Sequence, residues 1–218
     1  MKSKSSTIID RFSMIAAKIG GQRHLGAIRD GFITMMPLMI VGSLVTLINN
    51  IPIGTGADPS RQYLKQLLAE IPGLSWLVTL NGNVWWGTFG MISIFAVASI
   101  SYYLAKYYKA NKLSAAMVAL SCFLCAVPQI AAFTPAEGAD AVAGWGFINY
   151  QYVNATGLFI GIAIALIATE IFVRLSRSPK LIIKMPEGVP PAVSKSFAAL
   201  LPGMLTVLIV TLLTVLIE

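Results

Sequence analysis

Charged side chains are scarce in this 218-residue chain. Asp, Glu, Lys and Arg together make up 11% of it, against roughly 25% in a soluble domain. Hydrophobic residues supply 56%, and mean hydropathy is +0.76. An ordinary soluble domain is thereby excluded, and the chain falls among polytopic membrane proteins. Acidic residues are rarer than basic ones, nine against sixteen, for a net charge of +7. In a soluble protein that excess would raise nucleic acid as a partner. Here the placement of the charges matters more than their sum, and no nucleic acid is expected. Only two cysteines occur, Cys122 and Cys125, both inside an apolar run. No disulfide framework follows, and their CxxC spacing, with no His or carboxylate nearby, reads as small buried residues rather than a redox or metal site. There is one histidine. We find no metal-ligand cluster, no phosphate-cradling Gly-rich loop and no paired carboxylates in an apolar setting, so no catalytic residue, metal or cofactor is expected. Residues 1–30 lack a short apolar core followed by small residues, and no cleavable signal peptide is expected.

What is present is a series of apolar runs. Ahead of them, Ile8, Phe12, Ile15 and Ile19 recur at helical spacing while Asp10, Arg11 and Lys18 lie elsewhere. This predicts an amphipathic helix lying on the membrane surface, ended by Gly20-Gly21. His24, among Gln22, Arg23 and Arg29, could accept a phosphoryl group or sense pH, but its simpler reading is a solvated surface residue. The first span is expected over 31–48, with Pro37 inside it. A mixed loop follows, with a short helix near Tyr63–Leu68, and Asn81-Gly82-Asn83 reads as a turn before a second span over 84–105. A third span is expected over 113–133, broken at Pro128, and a fourth over 153–173. Glu170 is the one ionisable residue at depth in a span. An intramembrane carboxylate is a functional candidate by default, yet Arg174 lies one turn on, so an i,i+4 pair at the interface is expected. The fifth span takes all of 197–217, and the chain is expected to end as that helix reaches the far side.

Lys and Arg placement sets the topology. Fourteen of the sixteen fall in the N-terminal segment, the second-to-third connection or the fourth-to-fifth connection. Arg61 and Lys65 alone fall on the other side. The positive-inside rule then predicts a cytoplasmic N-terminus and five spans. Trp76, Trp85, Trp86 and Trp145 all fall on the outer side, as an interfacial belt or as faces on which a sugar could stack.

The longest patterned polar connection runs from Met185 to Phe197. Pro190-Pro191 cannot lie inside a helix, but Pro191 can open one. Glu187 precedes that helix start, where the dipole favours an anion. The segment reads as a rigid cytoplasmic corner, and Glu187, Pro190, Pro191, Ser194 and Lys195 are its candidate functional residues. Nothing else rises to a site. Asn81, Asn83 and Thr88 are explained by turn formation. Broken spans and an ordered corner fit a transporter better than an enzyme or channel.

The stretch Pro186-Glu187-Gly188-Val189-Pro190-Pro191-Ala192-Val193-Ser194-Lys195-Ser196-Phe197, continuing to Pro202-Gly203, closely resembles the membrane IIC subunit of bacterial sugar phosphotransferase systems, in the lactose/cellobiose/diacetylchitobiose branch. Ala27-Ile28-Arg29-Asp30-Gly31-Phe32, Leu47-Ile48-Asn49-Asn50, and Gly82-Asn83-Val84 with Gly87-Thr88 agree in order along the chain. The resemblance implies an all-α integral membrane protein of the bacterial inner membrane. It implies import of a β-linked disaccharide by alternating access, with phosphorylation by a IIB subunit that a IIA subunit recharges from phosphoenolpyruvate. It further implies a homodimer. Family members are roughly twice as long, and their sugar-binding His and Glu belong to a C-terminal half absent from this sequence. Residues 31–218 are therefore expected to be the five-span scaffold and interface half, and 1–30 a cytoplasmic amphipathic segment. No sugar-contacting or catalytic residue carries over, His24 included, and the chain alone is expected not to transport. The alternative is a membrane interaction or dimerisation protein without transport activity.

Overall fold

A run of apolar residues long enough to cross a bilayer must satisfy its backbone within itself, so helices dominate. The computed structural model describes residues 21–54, 63–133, 142–183, 185–186 and 188–217. The expected amphipathic helix over 8–19, and Glu187, lie outside the described residues. In chain order the elements are α1 (Arg23–Asn49), α2 (Leu64–Glu70), α3 (Ser75–Thr88), a 3-10 turn (Phe89–Met91), α4 (Ile92–Tyr107) and α5 (Lys112–Ala126). Strands β1 (Ile130–Phe133) and β2 (Val142–Trp145) follow, then a single turn α6 (Tyr150–Val153), a 3-10 turn (Ala155–Gly157), α7 (Leu158–Ser176) and α8 (Pro191–Ile217). Among the described residues, four helices are long and apolar enough to cross a membrane: Arg23–Asn49, Ser75–Tyr107, Ala155–Ser176 and Val193–Ile217.

The expected third span is cut short. Its helix stops at Ala126, because Pro128 lacks an N–H and biases Val127 away from helical geometry. Fifteen residues make about 22 Å of helix, less than the roughly 30 Å hydrocarbon core. Beyond the proline, Ile130–Phe133 pairs antiparallel with Val142–Trp145, Ile130 opposite Trp145 and Phe133 opposite Val142. The wholly helical expectation is thus corrected by a two-stranded hairpin. The expected turn at Asn81-Gly82-Asn83 is also corrected, since these residues lie inside α3. Asn81 Nδ2 donates to Asn49 Oδ1 at 3.2 Å, a tertiary partner that outweighs local turn preference.

The chain forms two compact units. The first comprises Met1–Thr34, Ala96–Ala126 and Phe159–Glu218; the second comprises Met35–Phe95 and Val127–Leu158. Small residues let helices approach closely in the first, as expected where lipid offers no hydrophobic drive for association. A Cβ on Gly31 would sit 2.8 Å from Ile100 Cγ1, and one on Gly203 would sit 3.2 Å from Val118 Cγ2. Ala105, Ala115, Phe172 and Val173 form a buried cluster there. In the second unit Thr88 ends α3: its hydroxyl returns to the Val84 carbonyl at 2.7 Å, an alternative to the helical ladder, and a 3-10 turn follows. Trp86 stacks on Tyr150, centroids 5.0 Å apart at 20°, and the buried Ser93 hydroxyl donates to the Asn154 carbonyl.

Candidate functional site

The ends of α4 and α7 and the starts of α5 and α8 bring together the polar chemistry of the first unit. Most of these groups sit at or just beyond helix ends, where the last carbonyls and first N–H groups lack intrahelical partners, while Glu170 lies in the last third of α7. At the α8 start the Pro190 carbonyl accepts from Val193 N at 3.0 Å and from Ser194 N at 3.1 Å, so the helix opens at Pro191 as the sequence predicts. Gly188 just ahead has φ +101, a conformation that favours glycine.

Glu170 is the hub of the region. Its Oε1 lies 2.9 Å from His24 Nε2 and also accepts from the Tyr108 hydroxyl. Its Oε2 lies 3.4 Å from Arg174 Nε. The Glu170 side chain is 19% exposed and that of His24 41%. The expected pair with Arg174 is present, but it is the outermost of three partners, and His24 is a partner of the carboxylate rather than a merely solvated side chain. Hydrogen bonding to the Glu170 carboxylate, and secondarily burial, raise the Tyr108 phenol above its usual value. The Arg23 and Arg177 guanidinium carbons lie 5.0 and 5.4 Å from the Tyr108 ring centroid, within cation–π range. Tyr108 was not a sequence candidate. Its place beside Lys109 at a span end is the ordinary mark of an interfacial residue, and nothing local distinguishes it.

Beside this hub lies a cavity of about 260 Å³, bordered by Tyr108, Lys109, Asn111, Ser176, Arg177 and Lys195, with apolar walls from Phe172, Ala198 and Ala199. Of the corner candidates, Lys195 reaches this cavity, Pro190 and Pro191 build the helix start, and Ser194 is half-buried in the first turn. A second polar cluster, Asp30 with Arg29 at 2.8 Å and Tyr107 at 2.9 Å, stands apart from the corner candidates. The arrangement anchors Arg23, Arg174 and Arg177 against Tyr108 and Glu170, and among the described residues it presents no nucleophile with a base aimed at it.

Apolar helices long enough to span a bilayer, one of them opening at Pro191 beside a basic cavity, define a polytopic membrane component. The chain belongs to the family "Phosphotransferase system, EIIC", which matches residues 29–218. It is 38% identical, over its whole length, to the putative permease IIC component YwbA of Bacillus subtilis, covering 47% of that protein. It is 37% identical to the cellobiose-specific EIIC component of Geobacillus stearothermophilus, over 96% of this chain and 44% of the relative. The crystal structure of the transporter ChbC, the IIC component of an N,N'-diacetylchitobiose-specific phosphotransferase system, superposes with a TM-score of 0.79 at 36% identity, over 94% of this chain and 46% of that one. The chain spans about half the length of the curated relatives it matches.

Proposed function

We propose that this chain is the scaffold and interface half of a IIC permease in a phosphoenolpyruvate-dependent system. The assembled system imports a β-linked disaccharide of the cellobiose or diacetylchitobiose type, for phosphorylation by IIB after recharging by IIA. The observation that carries this reading is that 94% of the chain superposes on only 46% of a diacetylchitobiose transporter, with cellobiose-specific relatives at similar coverage. In this reading residues 31–218 are the scaffold, 1–30 are a cytoplasmic amphipathic segment that leads into α1, and α5 brings the count to five as a short third span. The sugar site lies in a half outside this sequence, and two copies associate as a homodimer. Vesicles containing only this chain should then take up neither cellobiose nor diacetylchitobiose. Saturable uptake of either would refute the reading.

The corner has its own role in this proposal. Glu187 and Lys195 hold the cytoplasmic connection in the shape that lets the transport half move or that receives IIB. Alanine at both, in a full-length relative, should lower uptake at unchanged membrane insertion; unchanged uptake would leave the motif as plain corner chemistry.

A further inference from the structure

The cavity between the α4–α5 connection and the start of α8 is one-signed. Lys109, Arg177 and Lys195 border it, and no carboxylate does among the described residues. Among the described residues none of the three cations is in an ion pair with an acid. Arg177 donates one hydrogen bond to a backbone carbonyl, that of Tyr108, at 3.2 Å; a guanidinium has five N–H donors, so others stay available while its position is fixed. The Ser176 hydroxyl, also on the wall, is buried with no hydrogen-bond partner among the described residues. Buried polar groups are normally satisfied, by protein, water or ligand. Cations with no acidic partner among the described residues, gathered at a cavity wall, are what an anion with several oxygens would complete.

The position of the cavity selects the kind of anion. It lies at the level where α4 and α7 end and α8 begins, in helices long and apolar enough to cross a bilayer. At about 260 Å³ it is below the roughly 300–1,000 Å³ of pockets that enclose a drug-sized ligand. Large apolar side chains continue from it along the helices: Leu113 and Met117 on α5, and Phe197 and Leu200 on α8, are 40–68% exposed. A soluble phosphate would have no use for that surface. We propose that this cavity is a headgroup site for an anionic phospholipid. Its phosphate is held by Lys109, Arg177 and Lys195, and its acyl chains lie along the exposed faces of α5 and α8. Basic pockets between membrane helices bind such headgroups by this combination of charge and apolar surface.

The test uses the purified full chain in neutral micelles holding equal phosphatidylglycerol and phosphatidylcholine, with retained lipids counted by native mass spectrometry. Lys109→Gln with Lys195→Gln should weaken phosphatidylglycerol retention about 25-fold, at about fivefold per charge, and leave phosphatidylcholine unchanged. Arg177 is spared because its guanidinium also packs against Tyr108. The control pair, Lys106→Gln with Lys112→Gln, removes two cations that lie over Tyr103 and Tyr102 and do not border the cavity. It should weaken retention clearly less than the cavity pair does. Equal weakening by the control pair would mean diffuse attraction and overturn the site, as would no weakening by the cavity pair. Displacement of the lipid by equimolar inorganic phosphate or glycerol phosphate would mean a soluble ligand and overturn the lipid assignment.

Discussion

His24 Nε2 and Glu170 Oε1 are 2.9 Å apart across 146 residues of sequence. The bond fastens the first turn of α1 to the last third of α7, and Tyr108 and Arg174 converge on the same carboxylate. A half-buried carboxylate with three partners concentrates stability at one point, because removing it leaves several donors unsatisfied at once.

A double-mutant cycle measures this tie. Glu170→Ala should cost about 1.5–3 kcal/mol, the range for hydrogen bonds to charged groups. His24→Ala should cost about 1 kcal/mol, at the low end because the imidazole is largely solvated. Thermal unfolding of the two single variants and the double variant should give a coupling of at least about 0.5 kcal/mol. Strict additivity would mean the two side chains merely lie near each other.

Tyr108 sets a pH dependence with a definite sign. Its phenol is raised by the hydrogen bond to Glu170 and then by burial. A group whose folded value exceeds its unfolded value of about 10 contributes fully below that pH, and the contribution fades as pH rises through the folded value. The stability gap between the parent chain and Tyr108→Phe should therefore be flat from about pH 7 to 10 and narrow above. A gap that closes below about pH 9 would contradict the bond.

Two glycines should respond oppositely to alanine. A Cβ on Gly157 would fall 1.7 Å from the Tyr152 carbonyl oxygen, a backbone atom that cannot swing aside, whereas one on Gly82 meets nothing within 4 Å. Gly157→Ala should destabilise by about 3 kcal/mol or more. Gly82→Ala, inside α3, should stabilise by up to about 1 kcal/mol through helix propensity. Unfolding of both variants in the same detergent gives the comparison, and a shift of the same sign would contradict it.

The two thiols should behave differently. Cys122 is buried and Cys125 exposed. A small maleimide should label one thiol per folded chain in detergent and two after denaturation, with Cys125→Ser abolishing the native label. Labelling of the folded Cys125→Ser variant would mean that the helix face carrying Cys122 is open.

What the sequence discloses here is what short range decides. The helix start at Pro191 follows from proline stereochemistry, and the Glu170–Arg174 pair from helical spacing; both are present. The strand pair Ile130–Phe133 and Val142–Trp145 was hidden because Ile130-Ala131-Ala132-Phe133 is apolar and short, and such a run suits a strand or a helix end equally. Asn81-Gly82-Asn83 looks like a turn until Asn49 supplies a partner. The Glu170 hub was half legible: Arg174 is four residues away, but His24 comes from another helix and Tyr108 from the α4–α5 connection, and no local pattern marks a histidine that will meet a distant carboxylate.

The break at Phe89–Met91 bears on bilayer thickness. Ser75–Tyr107 is 33 residues long, about 50 Å of helix against a hydrocarbon layer of roughly 30 Å. A straight rod of that length would have to tilt steeply or thicken the lipid around it. Divided into pieces of 14 and 16 residues, about 21 and 24 Å long, neither part spans alone. The 3-10 turn at Phe89–Met91 divides that length, so the bilayer does not have to accommodate one straight 33-residue rod.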